Sequence, residues 1–223
     1  MSSGIPSLLK SYLLLYNCSQ IVLYLASLLF AMSALIAQQS IYHSSVPVLS
    51  CAQTLALLEI IHSLLGIAGG GAATVSVQVL GRNLVLFGVL KPSPPSHHSV
   101  FLFPLILSWS VSDLIRYPMY VFKLLQIESP QFITSLRYSA FLALYPMGIA
   151  SEIGIVLSAL EHIKLHDTFG VVFRESSPRI AFNFYVFCLC GLASYLYFGP
   201  LMLHHMWKQR QSHLNKKVAQ KQS

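Results

Sequence analysis

Residues 132–160 read FITSLRYSAFLALYPMGIASEIGIVLSAL, and only Arg137 and Glu152 within them are charged. A helix that crosses a bilayer needs about 20 mostly apolar residues, so this stretch is predicted to be a transmembrane helix. It also carries a carboxyl group into hydrocarbon. An ionisable group there costs at least about 2.5–3.5 kcal/mol and is kept through pairing, a wet cavity or function.

Working outward, the rest of the chain repeats the pattern. Hydrophobic residues make up 55% of the 223 and charged residues 9%, against roughly 25% charged in a soluble domain. Six apolar segments are predicted to span, at 12–37, 47–68, 71–90, 99–123, 132–160 and 180–206. The expected fold is all-α: one six-helix transmembrane domain over 1–206, followed by a basic tail, 207–223. Short connections fit this, at Gln38–Val46, Gly69–Gly71, Lys91–His98, Leu124–Gln131 and Glu161–Arg179. The first apolar run is too long for a cleaved signal peptide. Six spans put both termini on one side. That side holds Lys10, Arg82, Lys123, Arg137 and the tail bases, against Lys91, Lys164, Arg174 and Arg179 opposite, so both ends are expected in the cytosol.

The net charge of +7 does not indicate nucleic acid, because the bases sit at segment ends rather than on one clustered face. Lys208, Arg210, Lys216, Lys217 and Lys221 follow an apolar span, as a flank beside anionic lipid does. The four cysteines have no zinc spacing, and Cys188 and Cys190 point to different sides of a helix. Gly66 and Gly70, four apart, are expected to let helices pack closely. Asn17-Cys18-Ser19 matches a glycosylation acceptor but falls inside the first span, so it is expected to stay unmodified. No internal repeat supports an inverted-repeat transporter.

Five ionisable residues fall in predicted spans: Glu59, Arg82, Asp113, Arg116 and Glu152. Asp113 and Arg116 are three apart and can pair on one helix face, as can Glu59 and His62. Arg82 is open to a position nearer the interface. Pro118 lies between Tyr117 and Tyr120 and frees a backbone carbonyl, a feature common where a cavity forms. In the fifth span, Tyr145 and Glu152 are seven apart, which returns them to one face about 10 Å apart along the axis. They should face one lumen without touching. Pro146 and Gly148 loosen the helix between them and would let a substrate approach the backbone. A phenol and a carboxyl on one wall suit removal of water from a β-hydroxy thioester, which needs one proton taken from the α-carbon and one given to the departing hydroxyl.

Leu58-Glu59-Ile60-Ile61-His62 with Gly66, Thr74 with Gln78-Val79 and Arg82, Trp109-Ser110 to Ile115-Arg116-Tyr117, and Tyr145-Pro146-x-Gly148 with Glu152 stand in an order that resembles the very-long-chain 3-hydroxyacyl-CoA dehydratases, also called protein tyrosine phosphatase-like A proteins. The resemblance covers most of the chain. It implies a six-span protein of the endoplasmic reticulum that converts 3-hydroxyacyl-CoA to trans-2-enoyl-CoA, the third step of fatty-acid elongation. It also implies Tyr145 and Glu152 as the catalytic pair. Arg116, Tyr117, Gly148, Ser151, Arg82 and Glu59 are expected to shape the cavity. Neither cofactor nor metal is expected. Partners would be the long-chain acyl-CoA, membrane lipid, and the elongase, ketoacyl-CoA reductase and enoyl-CoA reductase.

The CoA head group is expected to approach from the basic side, near Arg137. The tail lacks the family's frequent dilysine ending. No cysteine is followed six positions later by arginine, so phosphatase chemistry is rejected. The alternatives are a catalytically inactive scaffold or regulator, which the intact Tyr/Glu pair opposes, and a proton or ion pathway. His97-His98 and His204-His205 do not make a di-iron set, since adjacent helical residues face apart.

Overall fold

The computed structural model describes residues 6–67, 71–174 and 180–222. Eight α-helices follow in order: α1 (Ser7–Ile36), α2 (Ile41–Leu64), α3 (Ala72–Asn83), a one-turn α4 (Pro94–His97), α5 (Leu102–Leu125), α6 (Gln131–Ser139), α7 (Phe141–Leu165) and α8 (Phe184–Gln222). A π-helical segment, Leu84–Leu90, prolongs α3. The only sheet among the described residues is an antiparallel pair, β1 (Val171–Arg174) with β2 (Ile180–Phe182), between α7 and α8.

The exterior is apolar, unlike that of a soluble bundle. On α1, Leu8, Leu15, Val22, Leu29 and Ile36, spaced by sevens, are exposed, while Asn17, Gln20 and Ser27 point inward. Such an apolar exterior suits lipid, which offers a side chain nothing to hydrogen-bond. The inward polar groups find partners: Gln20 Nε2 donates to the Tyr16 hydroxyl (3.1 Å) and to the Ala52 carbonyl (3.3 Å), and Asn17 Nδ2 to the Leu13 carbonyl (2.6 Å). Helix α5 sits centrally, with α1 on one side and α7 on the other. Close approach of α5 and α7 depends on two glycines. A Cβ on Gly148 would stand 3.4 Å from Ser108 Oγ, and one on Gly154 would overlap the Phe101 ring.

Five of the expected spans are long and apolar enough to cross a membrane: Ser7–Ile36, Ile41–Leu64, Ala72–Leu90, Phe141–Leu165 and Phe184–Lys208. The sixth, α5, has 24 residues, but Asp113 and Arg116 lower its apolar content. Several boundaries differ from the sequence reading. The fifth span starts at Phe141 rather than residue 132, because Gln131–Ser139 forms a separate helix; with Gln131, Thr134, Ser135 and Arg137 it is too polar for hydrocarbon. Helix α7 then runs to Leu165, so the expected connection from Glu161 holds the last turn of that helix and β1, while β2 takes up the expected start of the sixth span and α8 begins at Phe184 rather than residue 180. Helix α8 continues past residue 206 into the basic segment.

Gly66 is not a packing contact. Its φ is +69°, and a Cβ placed on it would meet nothing within 4 Å. Ile67 N–H reaches back to the His62 carbonyl (2.9 Å), so Gly66 ends α2 in the left-handed conformation that favours glycine. Its expected partner Gly70 lies outside the described residues.

Candidate active site

The charges held among the helices separate into two groups. The first joins α2, α3 and α5. Arg116 grips Glu59 with both terminal nitrogens, Nη1 to Oε2 at 2.9 Å and Nη2 to Oε1 at 3.2 Å. Its Nη2 also lies 2.9 Å from Asp113 Oδ1, the pairing three residues apart that the sequence suggested. Arg82 Nη1 donates to the other oxygen, Asp113 Oδ2, at 2.6 Å. Two acids and two guanidinium groups thus cancel. Burial is nearly complete, with the Asp113 side chain 1% exposed and Arg82 13%. Arg82 is therefore inside the bundle.

Glu59 and His62 do not pair with each other. Arg116 occupies the Glu59 carboxylate, and His62 Nε2 instead lies 2.9 Å from the Tyr12 hydroxyl. A bidentate guanidinium offers a carboxylate two bonds and a full opposite charge where an imidazole N–H offers one bond, so α5 wins over the same-helix neighbour. Tyr117 is wholly buried; its hydroxyl accepts from Arg116 Nη2 (3.2 Å) and its ring stacks on Tyr24 at 5.9 Å.

The second group joins α5, α7 and α8 around Glu152. Trp109 Nε1 donates to Glu152 Oε1 at 2.8 Å, and the Tyr195 hydroxyl donates to Oε2. Both carboxylate oxygens are fixed by neutral donors. Among the described residues, no ion pair includes Glu152. Tyr145 lies on the same side of α7. Its hydroxyl donates to the Gly199 carbonyl on α8 at 3.4 Å, and Tyr195 is close enough to interact electrostatically with both Tyr145 and Glu152. Gly148 and Ser151 are buried between α7 and α5, with Ser151 Oγ bonded to the Met147 carbonyl (2.6 Å).

The two groups meet through Trp109. The Arg82 guanidinium lies 5.5 Å from the Trp109 ring centroid, a cation–π distance, while the indole N–H of the same ring holds Glu152. Sequence reasoning gave Trp109 no role and missed Tyr195. The sole hint was the run Gly191-Leu-Ala193-Ser194 before Tyr195, small residues that let another helix come close. Chemically, the carboxylate is held in position but its charge is not cancelled. A carboxylate held so can exchange protons, with two phenols on its flank.

The family described as Protein tyrosine phosphatase-like protein, PTPLA, matches residues 53–216. The chain is 30% identical over 220 residues to the very-long-chain (3R)-3-hydroxyacyl-CoA dehydratase PASTICCINO 2A of Oryza sativa subsp. japonica, covering 97% of this chain and 99% of that one. It is 32% identical to PASTICCINO 2 of Arabidopsis thaliana, over 93% and 94% of the two chains. It is also 34% identical to dehydratase 1 of Mus musculus, over 81% of this chain and 63% of that one. No solved structure matches. With a family match that takes in the Arg116 network and the Glu152 site alike, and with relatives aligned nearly end to end, the chain belongs to the protein tyrosine phosphatase-like PTPLA family.

Proposed function

We propose that this protein is a very-long-chain (3R)-3-hydroxyacyl-CoA dehydratase, a hydro-lyase that eliminates water from the 3-hydroxyacyl-CoA to give the trans-2-enoyl-CoA. The activity for which the aligned relatives are named supports the reaction. The observation that carries the site is Glu152, held at both oxygens by uncharged donors and, among the described residues, in no ion pair.

In this mechanism the Glu152 carboxylate takes the proton from C2 of the acyl chain. The C2–H electron pair becomes the C2–C3 double bond, the C3–O bond breaks, and the departing hydroxyl takes that proton from the Glu152 carboxyl to leave as water, which returns Glu152 to the carboxylate. Glu152 is the principal proton-transfer group. Trp109 and Tyr195 keep its carboxylate aimed, and the Tyr145 hydroxyl turns from Gly199 to polarise a substrate oxygen that gains charge. Arg82, Asp113, Arg116, Glu59 and Tyr117 hold α2, α3 and α5 in register behind the site, and Gly148 and Ser151 bring α7 against α5.

Helix α5 is the sixth span in this reading. At 24 residues it measures about 36 Å, enough to cross a hydrocarbon core of about 30 Å, and its charges are paired inside the bundle. Both termini and the basic segment after residue 206 are then cytosolic, and the protein resides in the endoplasmic reticulum membrane beside the other elongation enzymes, the elongase, the ketoacyl-CoA reductase and the enoyl-CoA reductase. The deciding experiment is enoyl-CoA formation from a long-chain 3-hydroxyacyl-CoA by purified wild type, Tyr145→Phe and Glu152→Gln, each shown to be folded. Product from the wild type and its loss in both folded variants is expected. Wild-type rates in Glu152→Gln would overturn the site, and an inactive wild type the reaction.

A further inference from the structure

A groove of about 350 Å³ opens where α5 ends and α6 begins, with Met119, Tyr120, Lys123, Ser129 and Arg137 in its wall. No acidic residue lines it. Among the described residues neither Lys123 nor Arg137 takes part in an ion pair, and Arg137 Nη1 contacts the Met119 sulfur at 3.6 Å. Exposed cations need no partner, but these two face one concavity. The concavity gathers two cations, a serine hydroxyl and a tyrosine ring, a set that suits phosphate and an aromatic base.

Position adds the second half. Trp109, Asp113, Arg116, Tyr120 and Lys123 follow one another on α5 at spacings of four, three, four and three, so they form a single stripe along the helix. One end of the stripe holds Glu152 through Trp109, and the other lines the groove. Fourteen residues separate Trp109 from Lys123, about 21 Å of rise. An extended phosphopantetheine arm covers a distance of that order.

We propose that this groove binds the phosphates of the CoA moiety, with Lys123 and Arg137 as the cationic contacts, while the thioester end of the arm reaches Glu152. The inference rests on the dehydratase reading. Phospholipid head groups carry the same phosphate chemistry, so the test separates the two sources.

The wild type and the double variant Lys123→Gln/Arg137→Gln are compared in nanodiscs of phosphatidylcholine. The KM for a 3-hydroxyacyl-CoA is measured beside that for the same acyl group on pantetheine, which lacks the nucleotide phosphates. Binding of adenosine 3′,5′-bisphosphate is measured without turnover. The ratio of the two KM values should shift about tenfold against CoA in the double variant, with bisphosphate binding lost. Equal effects on both thioesters, an unmoved CoA KM, or a wild type that does not bind the bisphosphate would overturn the proposal. So would retention of phosphatidic acid that the double variant loses while its CoA KM stays put, the behaviour of a head-group site. If neither thioester turns over but bisphosphate binds to the wild type alone, the phosphate site stands and the lyase reading fails.

Discussion

Two acidic sites in the same bundle are satisfied in opposite ways. Between α2, α3 and α5, Glu59 and Asp113 meet Arg116 and Arg82 at 2.6–3.2 Å, and the four charges cancel. Between α5, α7 and α8, Glu152 receives hydrogen bonds from Trp109 and Tyr195 and no cation. A salt bridge compensates the charge of a buried carboxylate, whereas neutral donors orient it and leave its charge without an opposite partner. The first arrangement suits holding helices together, the second moving protons. Placement agrees with this division. Asp113 is buried, whereas Glu152 is partly exposed.

The comparison is broken most directly by exchanging the same atom pair at both places. Glu152→Gln should lower kcat by about 10²–10⁴, the range for a lost proton-transfer group, with the unfolding temperature nearly unchanged. Glu59→Gln in the same enoyl-CoA and melting assays should do the reverse. Activity that survives Glu152→Gln would assign the chemistry elsewhere.

Next in size is stability. Arg116→Met strips Glu59 and Asp113 of a shared cation and should destabilise the protein by about 3–5 kcal/mol, as removal of one buried partner does. Unfolding in detergent by a mild denaturant reads this. Adding Glu59→Gln to Arg116→Met should recover part of the loss, since one uncompensated charge disappears; a further drop would show that the network is held by something other than charge.

Tyr195→Phe is a smaller change that sharpens the second region. Loss of one donor to the carboxylate should reduce kcat about tenfold, a little over 1 kcal/mol, with KM for the thioester unchanged. A variant equal to wild type would leave Tyr195 as packing alone.

The smallest expected effect lies outside the spans. Burial holds the His97 imidazole below its usual range, against the opposing pull of the Leu90 and Lys91 carbonyls, and its ring stacks on Tyr42 at 3.5 Å. The unfolded chain therefore takes up this proton first as pH falls. Stability that is full above the ordinary imidazole pKa, about 6.5, should decline below it. His97→Gln should flatten the pH dependence of the melting temperature between about pH 5 and 7, and an unchanged slope would show that another group causes it.

Much of the architecture was legible along the chain because lipid imposes a strong rule: a segment with few charges and more than about 20 apolar residues must be a helix. The limits of segments were less legible. Residues 132–140 run into the fifth span with no proline or glycine to mark a break, yet Gln131–Ser139 forms α6, since Arg137 and its hydroxyl neighbours keep it out of hydrocarbon. Glu59 and His62 satisfy the spacing for a pair, and spacing alone says nothing of a guanidinium arriving from α5.

From the sequence came the membrane helices, the rarity of their acids, and Tyr145 and Glu152 on one face of one helix, all consequences of local periodicity and of what hydrocarbon excludes. Only the tertiary structure decided which acid is neutralised. That depends on partners 31, 43 and 57 residues away in the chain, one of which, Trp109, approaches where glycines let α5 and α7 close together. A carboxylate's charge state is set by the groups within a few ångströms of it, and the order of residues does not record which those are.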